Sequence, residues 1–340
     1  MRLPPLVAAV ALLATAIAAA PAAAQTPLDG YARCEPVGQA SIVEVSVAGC
    51  DEARAVATAL LGAPAADAAA VLRLAGWSPL RAAAAGAGEH DVVAVRGLAA
   101  LHVRRPGPAP DIDGWSAGRE LLFAGGTLVP GARPPRGAVL CTSAFLIRLR
   151  SGRLGGLSAA HCGGIRRNRT VRRRNAALRR PPLPGIVLGR VVRNLQRSRP
   201  LDALVLPVPT GATRPATAVV DRGVERPPWT VAGTARPLSG RRVCFSGRTS
   251  GVDRCGRMVG SRARRGERLL SVFAGVVVRC TTIRASEGDS GAPVYTAPRA
   301  DGSVRALGIA VIVVGPRSRM CFTPLLPVLD ALRARLVTQR

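Results

Sequence analysis

Lysine is absent from this 340-residue chain, so all 48 basic side chains are arginine, set against 20 acids for a formal net charge of +28. Aromatic residues make up only 3%, which leaves few faces for stacking unpaired bases and argues against a single-strand nucleic-acid platform. Past the first 24 residues no apolar run approaches the roughly 20 residues that a bilayer-spanning helix needs, which excludes a multispan helical membrane protein. No heptad or triplet period is present, so coiled-coil and collagen-like readings fail. The composition is still 48% hydrophobic. That is too rich for a disordered polyelectrolyte, and the length calls for about two domains with their own cores.

Arginine without lysine has two readings. Guanidinium groups suit phosphate contacts. Arginine beside 37 glycines, 28 prolines and abundant alanine is also what a GC-rich coding bias produces. We read the excess mainly as that bias with surface solvation. Twelve arginines fall between Arg166 and Arg199. They read first as a solvated loop between strands and second as a patch for an anionic polymer. Asn168-Arg-Thr170 matches a glycosylation sequon, a pattern short enough to arise by chance.

Residues 1–24 read as a secretory signal. Arg2 supplies the positive start, Leu6 to Ala20 the apolar stretch, and Ala22-Ala23-Ala24 before Gln25 the small-residue cleavage site. Pro21 speaks against an uncleaved anchor helix. The expectation is therefore a secreted, extracellular protein with no membrane contact after signal removal. Export implies an oxidising compartment, and the eight cysteines become candidates for four disulfides.

Charge divides the rest. Residues 25–120 hold eight arginines and eleven acids, whereas 121–340 hold 39 arginines and nine acids. The Pro-rich stretch Pro106-Gly-Pro-Ala-Pro-Asp111 falls near the change. We place a small α+β domain at 25–105, a linker at 106–120 and a larger domain at 121–340. In the small domain Ser41 to Val47, Asp91 to Arg96 and Leu98 to Val103 read as strands. Asp51 to Leu61 and Ala65 to Leu74 read as helices, with Asp51 as N-cap and Gly62 as stop. His90 and His102 lack clustered ligand partners and read as structural or surface histidines. The larger domain reads as all-β. Short apolar runs at Ala144–Leu149, Gly185–Val192, Ala203–Val208, Arg242–Phe245, Leu269–Val278 and Ala306–Val314 alternate with turn residues. Leu326 to Leu336 has helical spacing at the C-terminus.

Three segments carry chemistry: Leu157-Ser-Ala-Ala-His161-Cys162, Leu201-Asp202-Ala-Leu-Val-Leu206, and Glu287-Gly288-Asp289-Ser290-Gly291-Ala292-Pro293. A serine hydroxyl needs a base within hydrogen-bond reach, and histidine titrates in the right range. The histidine needs a buried acceptor to hold its tautomer. His161, Asp202 and Ser290 supply one member each.

These segments resemble the chymotrypsin-like (trypsin-like) serine proteases over roughly residues 121–340. His161 sits in an A-A-H-C motif and Ser290 in a G-D-S-G motif. Phe245-Ser-Gly-Arg-Thr-Ser-Gly251 is similar to a segment of the bacterial streptogrisin and alpha-lytic protease branch. The resemblance implies two packed six-stranded antiparallel β-barrels with a C-terminal helix. It implies disulfides Cys141–Cys162, Cys244–Cys255 and Cys280–Cys321, leaving Cys34 and Cys50 as a local pair. It implies that Ser290 is the nucleophile, His161 the base and Asp202 its orienter. The N–H groups of Gly288 and Ser290 would form the oxyanion hole, and Asp289 would be a structural ion-pair acid held by an internal arginine. No metal or cofactor is implied. The implied partners are a protein or peptide substrate and, for a monomeric enzyme, its own segment 25–105 as an inhibitory pro-region. That segment also reads as a folding aid or a separate binding domain. A catalytically silent, polyanion-binding homologue is the rival reading. Substrate preference stays open. The branched residues of Gly308-Ile-Ala-Val-Ile-Val313 suggest small apolar residues, and Arg284, six residues before Ser290, suggests acidic ones.

Overall fold

The computed structural model describes residues 31–64, 67–86, 88–107, 115–117, 120–124, 139–163, 170–173, 186–208, 216–222, 226–260, 276–312 and 319–339. The signal segment 1–24, the sequon at Asn168, much of the arginine-rich stretch and most of the strand expected at Leu269–Val278 lie outside these residues.

In the small domain strands β1 (Ala32–Cys34), β2 (Ile42–Ser46), β3 (Ser78–Gly86), β4 (Glu89–Arg96) and β5 (Ala99–Pro106) form an antiparallel sheet in the order β1-β2-β5-β4-β3. Side chains alternate between its faces. Val43, Val45, Val92, Ala94, Leu101 and Val103 join Leu60, Leu72 and Trp77 in one buried cluster with helices α1 (Cys50–Gly62) and α2 (Ala68–Leu74). The α1 N-cap is Gly49, not Asp51. Asp51 and Glu52 lie in the first turn, where a negative charge suits the helix dipole. Strand β3 was not expected, because its run of alanines carries little strand propensity. Pairing with β4 along its length overrides that weakness. Cys34–Cys50 ties β1 to the start of α1.

The opposite face of this sheet is also buried. Tyr31, Leu80, Val93, Val95 and Ala100 cluster with Val219 from the larger domain. The same face carries His102, fully buried between two carboxylates. Its Nδ1 lies 2.9 Å from Glu44 and its Nε2 2.8 Å from Asp91, which also accepts Arg104 Nε at 2.8 Å. His90 is buried as well, with Nδ1 2.8 Å from the Gly107 carbonyl. Neither histidine is a surface residue.

The larger domain begins inside the stretch expected to be a linker. Trp115–Ala117 forms β6, parallel to β15 (Ala216–Val220), and Asp221 N–H donates to the Ala117 carbonyl at 2.9 Å. The first barrel uses β7 (Glu120–Ala124), β8 (Val139–Thr142), β9 (Leu146–Arg148), β10 (Leu154–Ser158), β11 (Thr170–Arg173), β12 (Ile186–Arg190), β13 (Arg193–Asn194) and β14 (Leu204–Pro207). Strands β8 and β9 are two arms of one bent strand, as are β12 and β13. Counting each bent strand once, the pairings β7–β8, β9–β10, β10–β14, β14–β13, β12–β11 and β11–β7 close a six-stranded ring. The bends let the strands turn the barrel's corners.

The second barrel follows β15 and β16 (Trp229–Thr234). Its strands are β17 (Arg242–Gly247), β18 (Gly251–Gly260), β19 (Arg279–Arg284), β20 (Pro293–Thr296), β21 (Ser303–Ile312) and β22 (Arg319–Pro324). The order β20-β17-β18-β19-β22-β21 closes because β20 also pairs with β21. Cys244 and Cys255 face each other across β17 and β18, and Cys280 and Cys321 across β19 and β22, each pair bridged by a disulfide. Helix α3 (Leu325–Leu332) follows. It ends four residues before the expected Leu336 because Arg333 turns left-handed (φ 49°) and Arg335–Leu336 leaves to pair with β9.

The ionic cluster makes the small domain's stability depend on pH. Burial would push the His102 proton off, but Asp91 and Glu44 outweigh it and raise its pKa. Burial would likewise raise Asp91, but His102 and Arg104 hold it below its ordinary range. The His102 contribution is full below its ordinary value near 6.5 and is lost as pH rises through the raised one. The Asp91 contribution is present above its ordinary range near 4 and is lost as pH falls through the depressed value. Urea unfolding followed at Trp77 should therefore show a midpoint that declines at both ends of the pH range. In His102→Gln the alkaline decline should be shallower.

Candidate active site

The first barrel presents a histidine and an acid. Strand β10 ends at Ser158, and the chain tightens into a 3₁₀ turn at Ala160–Gly163 that carries His161. Cys162–Cys141 fastens that turn to β8. Asp202 precedes β14 and its side chain is fully buried, whereas that of His161 is 19% exposed. One Asp202 oxygen accepts the His161 backbone N–H at 2.9 Å, and the other lies 2.6 Å from Nδ1. The two bonds fix both the main chain and the ring of the same residue. With the carboxylate as acceptor, Nδ1 carries a hydrogen and Nε2 is left as the basic nitrogen. Asn194 Nδ2 donates to the Ala160 carbonyl at 3.3 Å and braces the turn.

The second barrel presents the serine, on the loop between β19 and β20. Two glycines make that loop possible. Gly288 has φ +96° and Gly291 φ +88°, a region that side-chain-bearing residues resist. A Cβ at Gly291 would also collide with Ser158 Oγ and the Thr142 carbonyl. The Ser290 loop therefore lies directly on the chain that leads to His161. Thr142 clamps it from β8. Its N–H donates to the Ser290 carbonyl and its hydroxyl to the Gly288 carbonyl, both at 2.8 Å. The Cys162 sulfur lies 3.9 Å from both His161 Nε2 and the Ser290 carbonyl oxygen. His161, Asp202 and Ser290 are thus gathered at one junction between the barrels. Among the described residues no protein acceptor takes the N–H of Gly288 or Ser290, which leaves both donors for an incoming oxygen.

Asp289 corrects an expectation. Its fully buried carboxylate is held by backbone amides rather than by an arginine. Thr249 and Ser250 N–H donate to one oxygen at 2.8 and 3.0 Å, and Ser286 N–H donates to the other at 2.9 Å. Amide donors satisfy a buried carboxyl group without burying a second charge. Thr249 Oγ1 also donates to the Glu287 carbonyl at 2.7 Å. The hairpin turn at 247–250 therefore supports the loop that carries Gly288 and Ser290, a role for Thr249, Ser250 and Thr142 that sequence reasoning missed.

The same hairpin is anchored by a second buried network, also unforeseen. Asp253, at φ +53°, accepts Arg222 Nε and Trp229 Nε1 at 2.6 Å and the Tyr295 hydroxyl at 2.9 Å. The Arg222 guanidinium lies 3.8 Å from the Trp229 ring centre. Burial, and then the Asp253 charge, hold the Tyr295 phenol well above its ordinary pKa, so it stays a donor. Its oxygen also lies 2.7 Å from Ser246 Oγ. Only Trp229, a tryptophan in a chain with three, could have drawn attention beforehand.

No family profile matches the chain, and no curated protein matches it. Among solved structures it is similar to a Nocardiopsis protease, at 21% identity and TM-score 0.45 over 65% of this chain and 98% of that one. It is similar to Thermobifida fusca protease A at 22% identity and TM-score 0.44, covering 65% and 97%. A Cellulomonas bogoriensis chymotrypsin gives 23% identity and TM-score 0.43, with the same coverage.

The packing at Gly291 yields a stability prediction. Gly291→Ala must push β8 away from the nucleophile loop and strain a left-handed residue, at a cost of about 2–4 kcal/mol. The urea midpoint should fall accordingly, whereas Gly302→Ala, in open space at φ +74°, should cost about 1 kcal/mol.

Proposed function

We propose that the chain is a secreted serine endopeptidase made as a precursor, with residues 25–105 as its pro-region. The observation that carries this reading is the junction at which a carboxylate-backed imidazole, a serine on a glycine-framed loop and two unclaimed N–H donors meet. Ser290 Oγ attacks the scissile carbonyl while His161 Nε2 takes its proton. The carbonyl oxygen becomes an oxyanion held by the N–H groups of Gly288 and Ser290. Collapse breaks the C–N bond, and His161 returns the proton to the leaving amine. Water then repeats the sequence on the acyl-enzyme and frees Ser290. Asp202 orients the ring and stabilises the imidazolium. Losing one oxyanion donor from such a hole costs about 2.7–4 kcal/mol of transition-state stabilisation.

The pro-region reading is supported by charge and by packing. An acidic segment precedes a strongly basic one, and one face of its sheet is buried with Val219 of the larger domain. The Arg-rich surface of the larger domain suits an anionic polymer as a further partner.

A fluorophosphonate probe tests the assignment on the full chain and on any processed form. The expected result is one adduct, located on Ser290 by mass spectrometry and lost in Ser290→Ala. Asp202→Asn should lower peptide turnover by about 10⁴-fold. Folded protein that takes no label and cleaves no peptide would overturn the enzyme reading and favour a silent, polyanion-binding homologue.

A further inference from the structure

The hairpin of β17 and β18 carries one residue too many on its second strand. Phe245 pairs with Arg254 and Gly247 with Gly251, so Ser246 alone faces Val252 and Asp253 together. Such a β-bulge bends the strand and re-aims what lies beyond it. Asp253 is left-handed there, at φ +53°, a conformation that costs a residue with a side chain more than it costs glycine. Beyond the bulge lies the turn whose Thr249 and Ser250 amides hold Asp289.

The bulge is closed by a ring of three hydrogen bonds. The Asp253 N–H donates to Ser246 Oγ at 3.2 Å. The Tyr295 hydroxyl donates to Asp253 Oδ1 at 2.9 Å. That bond uses the phenol's one hydrogen, so at 2.7 Å the Ser246 hydroxyl donates to the Tyr295 oxygen. Each hydroxyl thus gives one hydrogen and accepts one. Ser246 and Tyr295 are fully buried, where a polar group that loses its partner carries a desolvation penalty. Trp229 Nε1 donates to the same Asp253 oxygen and Arg222 Nε to the other, both at 2.6 Å, and hold the carboxyl group in place.

The ring joins the two pieces of chain that frame Ser290. Tyr295 lies on β20, five residues after Ser290, and pairs with Cys244 of β17. Ser246 adjoins Gly247, where a Cβ would collide with the Asp289 carboxyl group. The β17–β20 ladder ends at Phe245 and Val294. Beyond that end the Tyr295 side chain ties the bulge to the strand that leaves Ser290, while the turn past the bulge grips the residue before Ser290.

We propose that Tyr295 is a positioning residue for the reaction at Ser290. Its hydroxyl locks the bulge, the bulge aims the Thr249 and Ser250 amides at Asp289, and Asp289 sets the path of the backbone from Gly288 to Ser290. The inference rests on the serine endopeptidase reading, in which the N–H groups of Gly288 and Ser290 receive the oxyanion. A ground-state carbonyl makes little demand on their aim. The developing oxyanion makes a strict one, so a loosened ring weakens transition-state binding more than substrate binding. Displacement of a catalytic group by about 1 Å is enough to cost about 10²-fold in rate.

Tyr295→Phe deletes one oxygen and keeps the aromatic packing. The variant is assayed, as the full chain and as any processed form, with a peptide anilide and with two inhibitors of the same peptide sequence. One inhibitor ends in an aldehyde, to whose carbonyl carbon Ser290 Oγ adds, leaving an oxyanion. The other ends in a carboxamide and serves as the ground-state probe. The expected result is a kcat lowered about tenfold with KM within about twofold. Aldehyde affinity should fall by the same factor and carboxamide affinity should not change. Ser246→Ala should act similarly, and the double variant should be no slower than Tyr295→Phe, because the two hydroxyls work as one unit. Thr230→Val removes a hydroxyl that donates to the Gly302 carbonyl at 3.4 Å and should leave kcat and both affinities unchanged. A Tyr295→Phe enzyme with unaltered kcat and aldehyde affinity, or altered only in KM, would overturn the proposal and leave the endopeptidase reading intact, whatever its urea midpoint. If Tyr295→Phe does not fold, Ser246→Ala decides by the same readouts. A parent chain that neither cleaves peptide nor takes the fluorophosphonate label would overturn both.

Discussion

The proposed chemistry depends on one contact between two barrels. The first barrel carries His161 and Asp202 and the second carries Ser290, so the proposed triad needs both halves. What joins them is the close approach of Gly291 to Ser158 and Thr142, where no Cβ fits. Thr142 then spends its N–H on Ser290 and its hydroxyl on Gly288. Ser158 Oγ donates back to the Thr142 carbonyl at 2.9 Å. Each of these groups is buried, and each would carry a desolvation penalty if the barrels parted. The disulfide Cys141–Cys162 binds the strand that carries Thr142 to the turn that carries His161. His161 and Ser290 are thus both tied to the same short piece of β8.

The second constraint is how a buried carboxyl group is kept beside Ser290. Asp289 could be neutralised by a guanidinium, but burying two ions is costly unless their geometry is excellent. Three amide donors achieve the same end and also dictate backbone shape. Thr249 and Ser250 can point their N–H groups at one oxygen only if the hairpin turn is tight. Gly247 must be glycine, because a Cβ there would strike that same carboxylate. The Asp253 network fixes the far end of the hairpin through Trp229, Arg222 and Tyr295. Order therefore passes from an aromatic and ionic cluster to a turn, and from the turn to the loop that frames Ser290.

How much of this was legible beforehand follows the range of the interactions. His161, Asp202 and Ser290 sit in short motifs, so adjacency in sequence singled them out as candidates, and the Cys141–Cys162 pair followed from the resemblance. The amide clamp on Asp289 was not legible, because backbone donors carry no residue signature. The resemblance to the bacterial branch pointed to an internal arginine instead. Strand β3 was hidden by its alanines, since only pairing with β4 makes them extended. The end of α3 was hidden because Arg333 turns left-handed where glycine is usual. Strand β6 was hidden because it is three residues long and pairs with β15, a hundred residues later, inside a stretch that reads as a linker.

The small domain raises a question of stability that the same packing answers. Its sheet has two buried faces, one under α1 and α2 and the other clustered with Val219. Tyr31, Leu80, Val93, Val95 and Ala100 cluster there with Val219, so the cover of that apolar face includes the larger domain. The ionic cluster around His102 lies on the same face, in the low-dielectric setting that strengthens its pairs. A segment that acts once, during folding of the basic domain, tolerates such dependence. Its free form would be weakly stable and readily degraded, which makes removal irreversible. A permanent binding module would need that face covered for its whole life. The burial of both sheet faces ties the small domain to the larger one, which the proposed pro-region role requires.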